Sequence, residues 1–214
     1  MCPGRACLNG QQDCNSRRQR KSSNHLKYPY RYAIRIRDCS AILLAIVYSV
    51  SEGELESVAI FVDVQNIYYT TRQQFSRHFD YNQFWAEATK NRKVVKAIAF
   101  ATDRDDEKQR QFQNILRAIG FEVKLKPFIR RRDGSAKGDW DVGITLEVIE
   151  YAPHADVVVL ATGDGDFDLL VHKLRERHTL SVEVYGVEEL SAGSLIRAAS
   201  RFIPIKESLL LGIK

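Results

Sequence analysis

The sequence predicts an α/β protein, a three-layer α/β/α, Rossmann-like domain built on a mostly parallel central sheet, and three observations lead there. Short Val-rich apolar runs such as Val157–Ala161 are too brief for a buried helix and read as interior strands of a parallel sheet. Between them lie segments whose apolar residues recur at helical spacing, for instance Phe112, Ile115, Leu116 and Ile119. The two kinds alternate along the chain, and strands separated by helices pair in parallel.

In order, residues 1–57 read as a basic, disordered leader, because Met1–Tyr32 scatters Arg, Ser, Asn and Gln without an apolar period. The apolar piece Ala41–Val50 is far short of the roughly 20 residues that span a bilayer. Its polar lead-in is also too long for a signal peptide of about 15–30 residues. Composition, charge and cysteine content all change near residue 52, so a true start near Leu55 or Val58 is a second reading, which the intact mass of the natively expressed protein decides.

The domain is read over residues 58–206. Val58–Asp63 is an apolar strand ending in an acid, followed by an aromatic helix over Ile67–Phe75 and a second helix over Asn82–Thr89. Val94–Ala101 is another buried strand, ending near Asp103. Asp105–Ile119 is a helix that Gly120 stops. Phe121–Lys126 alternates like an edge strand, and Pro127–Gly138 is a basic loop. Trp140–Ala152 is a helix, with Asp139 read as its cap. The strand Asp156–Ala161 follows, then a sharp turn that Gly163 and Gly165 permit, then a helix over Gly165–Arg177. Ser181–Tyr185 is a strand, Ser194–Ser200 a helix, and Phe202–Ile205 a last extended piece before a C-terminal tail, 207–214.

The formal charge of +5 is unevenly spread. The first 51 residues carry nine Lys and Arg against two Asp and Glu, the remainder 23 against 25, so the basic excess is no argument that the folded part binds nucleic acid. The four cysteines, at 2, 7, 14 and 39, all precede the domain and match no zinc spacing. A disulfide scaffold would distribute them through the fold, so the expected location is cytoplasmic, with no membrane segment.

Parallel strands end on one side of a sheet, and open α/β sheets place their ligands there. Asp63 and the pair Asp164 and Asp166 therefore meet if both strands are central, with Asp141 near the start of a helix as a further candidate. Gathered carboxylates repel one another, and a divalent cation is the usual reason such an arrangement is tolerated. Oxygen ligands without His or Cys favour a hard ion, Mg²⁺ or Mn²⁺. The basic run Arg130, Arg131, Arg132 and Lys137 precedes Asp141, and guanidinium forks suit the phosphates of a polyanion. Asp103 lies in the run DRDDEK, which reads as a solvated helix start, and Asp168 as first-turn helix charge. No phosphate loop, G-x-S-x-G elbow or cysteine nucleophile occurs in the domain.

Four motifs in order, FVDVQN (Phe61–Asn66), KGDWDVGI (Lys137–Ile144), VVLATGDGDF (Val158–Phe167) and SLIRAASRFI (Ser194–Ile203), resemble the NYN domain in its LabA-like branch, a relative of PIN-domain ribonucleases. The resemblance covers Val58 to about Lys206. It implies a PIN-like sheet and a metal-dependent acidic site, with Asp63 as first-strand ligand, Asn66 as its polar companion, Asp141 as the helix-borne acid, and Asp164 with Asp166 as the acids of the central turn. Two positions depart from the pattern: Glu147 stands where relatives often have Asp, and Ser200 where many have Asp before the final aromatic. The expected function is metal-dependent hydrolysis of RNA phosphodiesters. The alternative is a non-catalytic RNA-binding or regulatory module on the same fold. RNA is the expected partner, and a homodimer or protein partner is left open.

Overall fold

Val58, Ala59, Ile60 and Val62 are completely buried, and the strand that carries them lies at the centre of the sheet. The computed structural model describes residues 55–103, 106–127, 129–130, 136–137, 140–176 and 180–212, with the backbone alone at 127, 129, 130, 136 and 137. The leader up to residue 54 lies outside the described residues.

Six strands form one sheet: β1 (Glu56–Asp63), β2 (Arg92–Asp103), β3 (Glu122–Pro127), β6 (Val157–Ala161), β7 (Ser181–Gly186) and β8 (Arg201–Pro204). Their order is β3-β2-β1-β6-β7-β8, and every pairing in it is parallel. The expectation of a mostly parallel sheet thus holds in its strict form. The segment read as a basic loop contains a small antiparallel pair, β4 (Ile129–Arg130) with β5 (Ala136–Lys137).

Alternation along β1 divides the core in two. Val58, Ile60 and Val62 face one layer, where Ile67 of α1 (Val64–Phe75), Phe84 of α2 (Tyr81–Ala88) and Leu116 of α3 (Glu107–Ile119) cover them. Ala59 and Phe61 face the other layer, with Ile144 and Val148 of α4 (Asp141–Tyr151), Val171 and Leu174 of α5 (Asp168–Arg175) and Leu195 of α6 (Gly193–Ala198). Both faces are therefore dry, which is why the central strands are apolar throughout.

Several boundaries move, each for a local reason. α1 begins at Val64 rather than Ile67, because Asp63 itself caps it. Asp106 caps α3, which starts at Glu107. Gly120 ends it with φ +128°, and a Cβ there would lie 2.8 Å from the Trp85 ring, so glycine is required on both counts. Trp140 occupies the cap position of α4, and Asp139, read as the cap, lies outside the described residues. A 3₁₀ turn, Gly165–Phe167, precedes α5. The residues beyond 206, read as a tail, carry Leu209 and Leu210 into the first core, with Leu210 bridged to Phe79.

The amino ends of the strands are closed by charge pairing. Arg92 meets Glu56 and the buried Glu183 at 2.9 Å each, a stabilising arrangement that leaves chemistry to the opposite end. No helix among the described residues is long and apolar enough to cross a membrane.

Candidate functional site

β1 and β6 are neighbours and parallel, with Val62 opposite Ala161, so the residues that follow each strand emerge together at the carboxyl edge. Those residues are Asp63 on one side and Thr162 to Asp166 on the other. Each turn is fixed by an aspartate that caps what comes next. Asp63 accepts through Oδ1 from the amides of Gln65 at 3.1 Å and Asn66 at 3.0 Å. Asp164 accepts through Oδ1 from the Asp166 amide at 3.0 Å, and its own amide donates to Thr162 Oγ1 at 3.2 Å. Capping and ligation are thus not alternatives here, because the caps engage one oxygen of each carboxylate and orient the other.

The two turns are tied to each other. Asn66 Oδ1 accepts from the Gly163 amide at 2.9 Å, so this residue, expected as a polar companion or substrate contact, spends its carbonyl on holding the turns in register. Gly163 is also pressed by Ser191, whose Cα would lie 3.2 Å and whose Oγ 2.7 Å from an added Cβ. Gly163→Ala is therefore expected to cost about 1–3 kcal/mol by overpacking and to loosen Asp164. The check is a urea midpoint together with divalent-metal affinity, both of which should fall.

Carboxylate oxygens of Asp141, Asp164 and Asp166 lie within 4.8 Å of one another, the first two half-buried and the third exposed. Asp141 comes from the first turn of α4, on the sheet face opposite α1, and Asp164 and Asp166 from the turn after β6, so two separate segments converge. Asp63 stands just outside that trio but within its field. Burial pushes its carboxyl up to about 6, the charges of Asp141 and Asp164 add to the rise, and the Asn66 and Gln65 amides oppose it. Tyr81, unremarked in the sequence, lies on the far side: burial raises its hydroxyl pKa and the Asp63 charge raises it further.

Other expected residues fall elsewhere. Glu147 forms an ion pair with Lys124 of β3. Asp168 is the first residue of α5 and does not belong to the trio. The backbones of Arg130 and Lys137 lie in the β4–β5 pair, while Arg131, Arg132 and the four basic side chains lie outside the described residues. Thr162, legible with Gly163 and Gly165 as part of the tight turn, also accepts from the Asp164 amide through its hydroxyl. Sequence reasoning missed Ser191 and Tyr81, which meet the site only through tertiary packing.

The donor set fits a hard divalent cation: it is all carboxylate, drawn from the start of α4 and the turn after β6, and beside it burial, together with the charges of Asp141 and Asp164, disfavours ionisation of Asp63.

Comparison with known proteins agrees with this architecture. The family model described as NYN domain matches residues 57–208. The chain is 26% identical over 159 residues to the low amplitude and bright protein LabA of Synechococcus elongatus, covering 70% of this chain and 84% of that protein. It is 55% identical to a protein of unknown function from Vibrio parahaemolyticus, whose crystal structure superposes with a TM-score of 0.71 over 74% of this chain and 98% of that one. A match that runs from the first strand into the last buried turn leaves one assignment: this chain belongs to the NYN domain family, is of the LabA-like kind, and has that family's PIN-like fold.

Proposed function

We propose that the protein is a metal-dependent ribonuclease that hydrolyses RNA phosphodiesters at the carboxyl edge of its sheet. The observation that carries this reading is the convergence of Asp141, Asp164 and Asp166 within 4.8 Å, with Asp63 beside them. Membership of a PIN-like nuclease superfamily whose members are RNA-related supports the choice of substrate.

Asp141, Asp164 and Asp166 would hold the ion, Mg²⁺ or Mn²⁺. When bound, such an ion polarises the phosphodiester, lowers the pKa of a water nucleophile and neutralises the leaving oxygen. The chain's own part is positional and electrostatic. The cap on Asp164 and the Asn66–Gly163 bond fix where its carboxylate points. Asp63, whose carboxyl burial pushes up to about 6, would have to be ionised to support a cation held beside it, so metal affinity should fall in acid. Arg130, Arg131, Arg132 and Lys137, which precede α4 in the chain, would supply phosphate contacts.

One observation favours a second reading, a non-catalytic RNA-binding or regulatory module. Glu147, at the position where relatives often carry a further Asp, is engaged with Lys124 and adds nothing to the trio.

The test is incubation of the full chain with labelled single-stranded RNA in Mg²⁺, Mn²⁺ or chelator. The nuclease reading expects cleavage with either metal and none with chelator. Binding without cleavage under every condition supports the module instead.

A further inference from the structure

Beside the acidic edge, on the α1 side of the sheet, lies a cavity of about 470 Å³. We propose that this cavity is a subsite for an unpaired nucleobase of single-stranded RNA, which seats the strand so that a neighbouring phosphate reaches the carboxylates. The proposal rests on the ribonuclease reading for its choice of polymer, and it adds the strandedness of the substrate and the residues that select it.

The size is that of a small-molecule pocket, in the range of about 300–1,000 Å³. Its lining has the composition that a base requires. Tyr68 and Tyr69 stand at its mouth, 46% and 49% exposed, with their rings edge to face at 5.4 Å, and the His78 ring lies 5.9 Å from that of Tyr68. Phe79, Tyr81 and Phe112 pack beneath, Tyr81 touching the other two at 5.0 and 5.4 Å between ring centroids. Gln65, Thr102 and Gln109 add side chains that both donate and accept, the equipment that reads a base edge.

The tyrosines need explaining. Large apolar side chains of α1 that serve the core are buried, as Ile67 is, whereas Tyr68 and Tyr69 turn outward into the cavity. Unpaired bases are held in this way, stacked on aromatic faces, and a base inside a duplex presents no free face to stack on.

Position connects the cavity to the reaction. Val64 and Gln65, part of its wall, directly follow Asp63 in the first turn of α1. Tyr81, part of its floor, lies within electrostatic reach of the same aspartate. A strand whose phosphate meets the trio therefore passes the cavity mouth within its adjacent nucleotides.

The experiment uses the full chain in chelator, so that turnover is absent, with a fluorescently labelled oligoadenylate carrying one 2-aminopurine, both single-stranded and annealed to its complement. Tyr68→Ala and Tyr69→Ala are compared with wild type, with Tyr68→Phe and Tyr69→Phe retaining the ring. Loss of one stacking partner is expected to weaken single-strand binding about tenfold and to remove the 2-aminopurine quenching. The Phe variants should bind as wild type, and duplex affinity should not respond to any of the four. Equal single-strand affinity and undiminished quenching in both Ala variants would overturn the subsite. Cleavage with Mn²⁺ is measured alongside. If wild type cuts nothing while the Ala variants still lose binding and quenching, the ribonuclease reading fails and the subsite stands. If wild type cuts and the Ala variants match it in Kd and kcat/KM, the subsite alone fails.

Discussion

Asp164→Asn is expected to reduce metal-dependent RNA cleavage by roughly 10²–10⁴-fold, the loss seen when a group acting directly at a reaction centre is removed. The size follows from geometry. Asp164 is one of three carboxylates within 4.8 Å, it is half-buried, and its turn is held by hydrogen bonds to Asp166, to Thr162 and, through Gly163, to Asn66. Asn keeps the cap, since Asn and Asp are equally good in that position. The substitution therefore removes one negative charge without unmaking the turn, and circular dichroism and melting temperature should stay close to wild type. Asp168→Asn is the matched control, the same chemical change four residues on at the start of α5, and its cleavage rate should remain near that of wild type. Equal losses at both positions would mean that general charge, not the trio, governs the activity.

Asp63→Asn should do something less usual for a site residue: make the metal-free protein more stable. A carboxyl whose pKa stands near 6 instead of its ordinary 3.8 costs the folded state about 2–3 kcal/mol when ionised. The sign is fixed by which state holds the proton. Between pH 4 and 6 the folded chain keeps it and the unfolded chain does not. The stability that Asp63 contributes is thus fully present below about pH 4 and lost as pH rises through 6. Asn never pays that cost and still caps α1. In chelator at pH 8 the variant should melt roughly 5–10 °C above wild type, at about 2–4 °C per kcal/mol for a domain of this size. Near pH 4 the difference should vanish. Saturating Mn²⁺ should reverse the order, because only wild type gains the full binding energy of the ion. A variant less stable than wild type at pH 8, or a gap independent of pH, would contradict this account of Asp63. Stability given up at a site in return for activity is a common trade in enzymes.

How much of this was legible before the structure depended on the range over which each feature is encoded. The runs Val58–Asp63 and Val157–Ala161 announce buried parallel strands because both faces of the sheet are covered, so no polar alternation interrupts them. Once both are placed centrally, Asp63 and Asp164 must share an edge. The start of α1 was set three residues late because Val64–Gln65–Asn66 offers no apolar period, and the decisive signal was the capping by Asp63, which the sequence presents equally well as a simple strand end. Side-chain contacts that strand order does not imply were not legible. Glu147 read as a departure from the position where relatives often have Asp, and only the fold shows it paired with Lys124, 23 residues earlier. By spacing alone Tyr68 and Tyr69 suit either core packing or base stacking, and only the placement of β2, α3 and Leu211 around them reveals a cavity.

The ion itself gives the most direct test. Crystals of the full chain soaked in Mn²⁺ and measured at the manganese absorption edge should show an anomalous peak coordinated by Asp141, Asp164 and Asp166, with Asp63 within one water of it, and Asp164→Asn should lose that peak. A soak that leaves the three carboxylates bare while manganese binds elsewhere on the molecule, or a peak that persists unchanged in Asp164→Asn, would contradict the claim that this edge of the sheet is a metal centre.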